Sequence, residues 1–250
     1  MAMGEIRWLP QSTLDRIEQG VDEIKRAMGD HVVAIVLVGA AAHPERPDRA
    51  QLPELLVVVT EASIDDLRAL AEHVHDSMRD GLRLRVITQE ELSSSADVFT
   101  VEVAEYAAHH VVLAGTDPFA DITWTADDMR RSVEQGLRGV GRRVRNRVLT
   151  GLGTDGKRDD PAGALRQGLE RFVMLARHAL PLLGADVPKL DGAILEVAGK
   201  QVGVETADLR RTLTKLREGH PPADPLASVA ELLALVGPFT TKIDQVRGAA

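Results

Sequence analysis

Apolar positions change their spacing several times along the first half of the chain, and each change predicts an element. Over residues 12–29, Leu14, Ile17, Val21, Ile24 and Met28 recur at three- and four-residue steps, the pattern of one helix face, with Ser12 placed to cap it and Gly29 to stop it. Residues 31–38 (HVVAIVLV) and 55–59 (LLVVV) are apolar runs of strand length, rich in Val and Ile, and predict two buried strands. Helical spacing returns over 63–80 through Ile64, Leu67, Leu70, Val74 and Met78 and ends at Gly81. Leu82, Leu84 and Val86 then alternate with Arg83 and Arg85, a third strand with one buried face. Residues 99–115 open on a strand-like piece, FTVEV, and continue as HHVVLAG, expected at a sheet edge or in a short helix. The order helix, strand, strand, helix, strand defines a mixed α/β unit.

A long helix is predicted over 126–148, where Val133, Leu137, Val140, Val144 and Val148 form one stripe. Gly136, Gly139 and Gly141 weaken it by about 1 kcal/mol each, so close packing against another element is expected there. Residues 150–163 (TGLGTDGKRDDPAG) are dense in Gly, Asp and Pro and read as a linker. Within them GLGTDGKR matches G-x-G-x-x-G in form and nearly matches the P-loop G-x-x-x-x-G-K-S/T, but it follows an arginine-rich helix instead of a strand and ends in Arg158 where the P-loop has Ser or Thr. Helical patterns fill the remainder, over 164–183, 190–198, 207–218 and 225–245, separated by Gly- and Pro-bearing connections short enough for an antiparallel bundle. The expected organisation is an α/β domain over 1–149, a linker over 150–163 and an all-α helical-bundle domain over 164–250.

Composition narrows the function. A formal charge of −8 argues against a surface built throughout for polyanions, so any nucleic-acid contact is local. The absence of cysteine excludes disulfides and thiol catalysis. The opening MAMGEIRWLP has no apolar core of a signal sequence, and no run approaches 18 uninterrupted apolar residues. A cytoplasmic protein without a membrane partner is the expectation.

The stretch IVLVGAAAHPERPDRAQLPELLVVV (35–59) resembles the first motif of the polymerase-β-like nucleotidyltransferase superfamily, in which a strand ends in Gly-Ser and the next strand carries Asp-x-Asp before an apolar run. The stretches VFTVEVAEYAAHHVVLAG and MRRSVEQGLRGVGRRVR extend the likeness to predicted nucleotidyltransferase-domain proteins with a helical C-terminal half. The resemblance implies a site in which paired carboxylates on a strand, joined by a third from a neighbouring strand, hold two Mg²⁺ around the triphosphate. Carried over residue by residue, it sets Gly39 at the glycine, Ala40 at the serine, Leu52 and Glu54 at the two aspartates, and Arg85 or Arg83 at the third carboxylate. Only Glu54 can bind a metal, and a cation stands where an anion belongs.

The resemblance therefore implies a nucleotidyltransferase-like protein without the activity, a pseudo-enzyme that binds a small ligand or protein partner, with Gly39, Glu54 and Arg85 as its ligand-binding candidates. No cofactor is expected, and Mg²⁺ only if Glu45, Asp48 and Glu61 rebuild an acidic site for an active enzyme. If Glu54 and Arg85 meet across adjacent strands, the guanidinium occupies the vacated metal position. A local nucleic-acid binder is the alternative from a different class, since Arg131, Arg138, Arg142 and Arg145 fall on one side of the long helix. A homodimerising scaffold is a third. The histidines offer little: His73 and His75, and His109 and His110, are spaced to diverge.

Overall fold

The computed structural model describes residues 6–43, 52–154, 156 and 158–246. The chain divides into two compact units, Met1–Trp124 and Thr125–Ala250.

The first unit runs α1 (Gln11–Met28), β1 (Val32–Val38), β2 (Glu54–Val59), α2 (Ile64–His73), α3 (His75–Arg79), β3 (Arg83–Thr88), α4 (Gln89–Ser94), α5 (Thr100–Ala108) and β4 (Val111–Gly115). Its sheet has the order β3-β2-β1-β4. β1 is antiparallel to both β2 and β4, while β2 and β3 are parallel, as the α2–α3 crossover between them requires. Alternation along the strands sorts the side chains onto two faces. Ile35, Leu37, Leu55, Val57 and Val59 pack with Ile17, Val21 and Ile24 of α1 and with Leu70 and Val74. Ala34, Val36, Val38, Leu56 and Val58 pack with Leu92, Ala96, Val103 and Phe119. Both faces of the two central strands are thus dry, which is why their sequences lack alternation.

Several expected elements differ in detail. α1 starts at Gln11 with Pro10 at its cap position and no side-chain cap, so Ser12 lies within the first turn. The helix over 63–80 is broken at Val74 into α2 and α3. FTVEV belongs to helix α5, because Thr100, Val103 and Ala104 step by three and one onto a single buried face and the following Ala residues extend the turn. VVLAG is strand β4, an edge of the sheet. Gly115 ends it at φ +80° beside Val33, where a Cβ would fall 1.9 Å from that residue's carbonyl oxygen.

The second unit comprises α6 (Ala126–Gly153), α7 (Pro161–Leu182), α8 (Asp191–Val202), α9 (Ala207–Arg217) and α10 (Pro225–Asp244). α6 begins a helical unit instead of closing the α/β one: its buried Val133, Leu137, Val140 and Val144 belong to a core shared with α7 and α10. The division accordingly falls before α6, and of the residues expected as a linker, 150–153 end α6 and 161–163 begin α7. Gly136 meets the expected need for close packing, since a Cβ there would reach 2.5 Å from Leu175 Cδ2 on α7. Gly139 and Gly141 do not, their near neighbours being arginines of α6 itself, apart from Val236 beside Gly141. Phe172 and Phe239 meet edge to face at 5.4 Å between α7 and α10. Asp191, at the start of α8, is buried and accepts from Arg177 of α7 at 2.7 Å and from Arg217 of α9. α10 is long and apolar enough to cross a membrane, but it buries Val229, Leu232, Leu235, Val236, Phe239 and Ile243 as a core helix does.

One polar contact is sealed within the first unit. Ser77 donates to Glu23 at 2.7 Å, and Gln19 donates to the other carboxylate oxygen at 2.8 Å. Both Ser77 and Glu23 are buried, so Ser77→Ala strips a partner from a charge with little access to water. We expect a loss of about 1–3 kcal/mol in urea denaturation.

Among the described residues three helices start in capping boxes, Ser63–Asp66 on α2, Thr88–Glu91 on α4 and Thr125–Asp128 on α6. The hydroxyl and then the backbone N–H of Ser63 and Thr125 hold Asp66 and Asp128 below the usual aspartate range, and the N–H and then the hydroxyl of Thr88 do the same for Glu91. Depressed acids stabilise the fold above their unfolded values, about pH 4, and lose that contribution as pH falls through the folded values. Acid titration followed by NMR should therefore show the first-turn amides of these helices moving at lower pH than the ordinary range of their Asp or Glu, and Thr125→Ala should shift the Asp128 midpoint upward.

Candidate functional site

The register of the sheet brings the candidate residues of β1, β2 and β3 to one end. Gly39 closes β1 at φ +69°, and the first residue of β2, Glu54, pairs with Val38 beside it. A Cβ on Gly39 would lie 3.8 Å from Glu54 Oε2. Ala40 is half-buried in the 3-10 turn Gly39–Ala42, which Trp8 pins by donating its indole N–H to the Ala41 carbonyl at 2.9 Å. Leu52 does not join them: it is exposed and packs over Gly81, where a Cβ would stand 2.8 Å from Leu52 Cδ2.

Glu54 shares its face with Leu56, and Leu56 pairs with Arg85 across the parallel β2–β3 ladder. The guanidinium of Arg85 donates through Nε to Glu54 Oε1. Arg83, opposite Glu54 in register, is exposed. Partial burial opposes the charge on Arg85, but Tyr106, Glu54 and Glu102 outweigh it and raise its pKa above the ordinary arginine value. The pair is unevenly placed: the Glu54 side chain is 18% exposed and that of Arg85 60%.

Beside this pair opens a cleft of about 480 Å³ whose walls include Arg85, Glu91, Phe99, Glu102 and Tyr106 above Leu56. Two aromatic side chains offer flat apolar contact. Two carboxylates and one guanidinium, the latter already turned towards Glu54, make the cleft poorly suited to a polyphosphate.

Mg²⁺ takes several hard oxygen ligands in octahedral array. Glu54 supplies one carboxylate here, and that carboxylate already accepts from a guanidinium, so among the described residues this donor set does not suit the ion. Glu61 lies beyond the opposite end of β2 and faces His31 at 3.5 Å, away from Glu54. Glu45 and Asp48 fall outside the described residues.

A second constellation was not expected from the sequence. His43, directly after the Gly39–Ala42 turn, stacks on His109 with ring centroids 3.8 Å apart and 27° between planes. Its Nε2 stands 3.5 Å from Glu105 Oε1. Glu105 lies in the last turn of α5 and His109, four residues on, is the residue that caps it, a spacing legible in the sequence. His43 sits in a loop with no local signal, so only the fold brings it to them. His109 and His110 do diverge, His110 turning to Asp117 at 3.3 Å.

On α6, Arg131, Arg138, Arg142 and Arg145 are all exposed, and the first three line one shallow groove with Glu134 and Gln135. Acids neutralise half of the stripe: Arg131 pairs with Asp127 and Asp128, and Arg138 with Glu134 and Asp244. That is the pattern of a solvated helix face more than of a phosphate track.

No protein-family model matches the chain, and no curated protein matches it in sequence. The arrangement has to be read from its own chemistry.

Because Arg85 is mostly exposed, water and salt screen its pairing with Glu54. Arg85→Met and Glu54→Gln should each cost less than about 1 kcal/mol in urea denaturation at low salt, and the difference from the parent should shrink further in molar salt.

Proposed function

We propose that the first unit is a nucleotidyltransferase-like module of the polymerase-β type that has lost metal-dependent transfer and serves to bind a small ligand or a protein partner. The chain order helix, strand, strand, helix, strand, with β1 and β2 antiparallel and β2 and β3 parallel, supports the likeness, as does Gly39 at the end of β1 beside Glu54. The observation that carries the loss of activity is the Arg85 guanidinium on Glu54. On this reading a guanidinium stands where the superfamily gathers carboxylates around Mg²⁺, and it cannot offer coordination positions to attacking and leaving oxygens. The cleft lined by Phe99 and Tyr106 remains available for a compact, partly flat ligand.

Calorimetric titration with ATP, GTP, CTP and UTP, each with and without Mg²⁺, tests this reading. We expect no heat that depends on the metal. Metal-dependent binding that Glu54→Ala abolishes would establish instead a rebuilt catalytic site, and the proposal of a non-catalytic module would fall.

A further inference from the structure

His43, Glu105 and His109 lie outside that reading and present donors of a different kind. His43 is 6% exposed, and Glu105 and His109 are half-buried. One donor atom from each residue lies within 4.8 Å of the other two. Two imidazoles and one carboxylate are the donor types that borderline first-row divalent ions favour, and three protein ligands leave a fourth position for water or substrate. We propose that these three residues form a site for a divalent transition-metal ion of the zinc class.

Distances set what binding requires. Bonds of about 2.0–2.2 Å in a tetrahedral site put donors roughly 3.4 Å apart. The contact between His43 and Glu105 is already 3.5 Å. The widest separation in the cluster has to close by at most roughly 1.4 Å to reach that tetrahedral spacing. The rings are stacked, with 27° between their planes, so at least one imidazole has to turn about its Cβ–Cγ bond for both nitrogens to aim at one ion. α5 fixes Glu105, whereas His109 is the cap residue after its last turn, at φ −141° and ψ 86°, and His43 ends the 3-10 turn, so the two imidazoles are the adjustable partners. The ion would tie that turn to α5. Nitrogen donors make the site unsuited to Mg²⁺, which separates it chemically from any nucleotide-bound metal.

The full chain, freed of metal with a chelator, is titrated with Zn²⁺, Co²⁺ and Mg²⁺ in the absence of nucleotide. We expect a single equivalent of Zn²⁺ to bind, Mg²⁺ to give no heat, and Co²⁺ to develop the intense visible absorption of a four-coordinate site. Glu105→Gln and His109→Gln should each weaken Zn²⁺ binding at least ~10-fold, whereas His110→Gln, whose ring turns to Asp117, should leave it unchanged. NMR of the unsubstituted protein labelled at histidine nitrogen keeps the test independent of how the variants fold: Zn²⁺ should shift His43 and His109 and spare His73 and His75. Absence of Zn²⁺ binding, equal affinity in all three variants, equal loss in His110→Gln, or shifts confined to other histidines would overturn the assignment.

Discussion

β1 has no face to give to water. Ala34, Ile35, Val36, Leu37 and Val38 are completely buried, and the strand is paired along both edges by β2 and β4. Burying each such Val, Leu or Ile contributes about 1.5–3 kcal/mol, provided both sides of the sheet are covered. The first unit is arranged to supply that cover, with α1, α2 and α3 on one side and α4, α5 and the Phe119 segment on the other. Side-chain parity follows from this. Once Leu55 and Val57 face α1, Glu54 and Leu56 must face α5, and a one-residue slip would turn the carboxylate into a dry core.

The chemistry at the sheet end is a by-product of that parity. Glu54 emerges where β2 begins, next to the glycine that ends β1, and Arg85 arrives on the same side because the register sets it opposite Leu56, which shares a face with Glu54. α5 then meets this end of the sheet twice. Glu102 and Tyr106 border the cleft by Arg85, while Glu105 and His109 meet His43. One helix thus serves two polar clusters of opposite character, one with a guanidinium at its centre and the other with imidazoles.

Much of this could be read from residue spacing. The apolar runs of β1 and β2 are unmistakable because both faces are buried, and the alternation of β3 leaves Arg83 and Arg85 on the outward parity. FTVEV misleads because five residues of alternating polarity fit either period, and only the buried Thr100, Val103 and Ala104 decide for a helix. α4 has a single buried apolar side chain, Leu92, so periodicity is silent, although its Thr88-x-x-Glu91 cap lies in plain view. The stripe of α6 announces a buried face without saying whose, and the answer, α7 and α10, comes from tertiary packing. Glu54 and Arg85 could be matched by counting along the strands. His43 could not be matched to anything, since a loop histidine has no period.

The order of synthesis gives the second unit a particular exposure. α6 and α7 leave the ribosome before α10, yet their shared core includes Leu232 packed close to Gly168, where a Cβ would sit 2.9 Å from its Cδ2. Until residues 225–244 have emerged, the parts of the α6 and α7 stripes that α10 covers stay open, although α8 and α9 already pack against α7. At about 5–20 residues per second that interval lasts some seconds. The nascent chain carries a sticky, helical surface throughout it, and the most apolar helix of the unit is the piece that ends the wait.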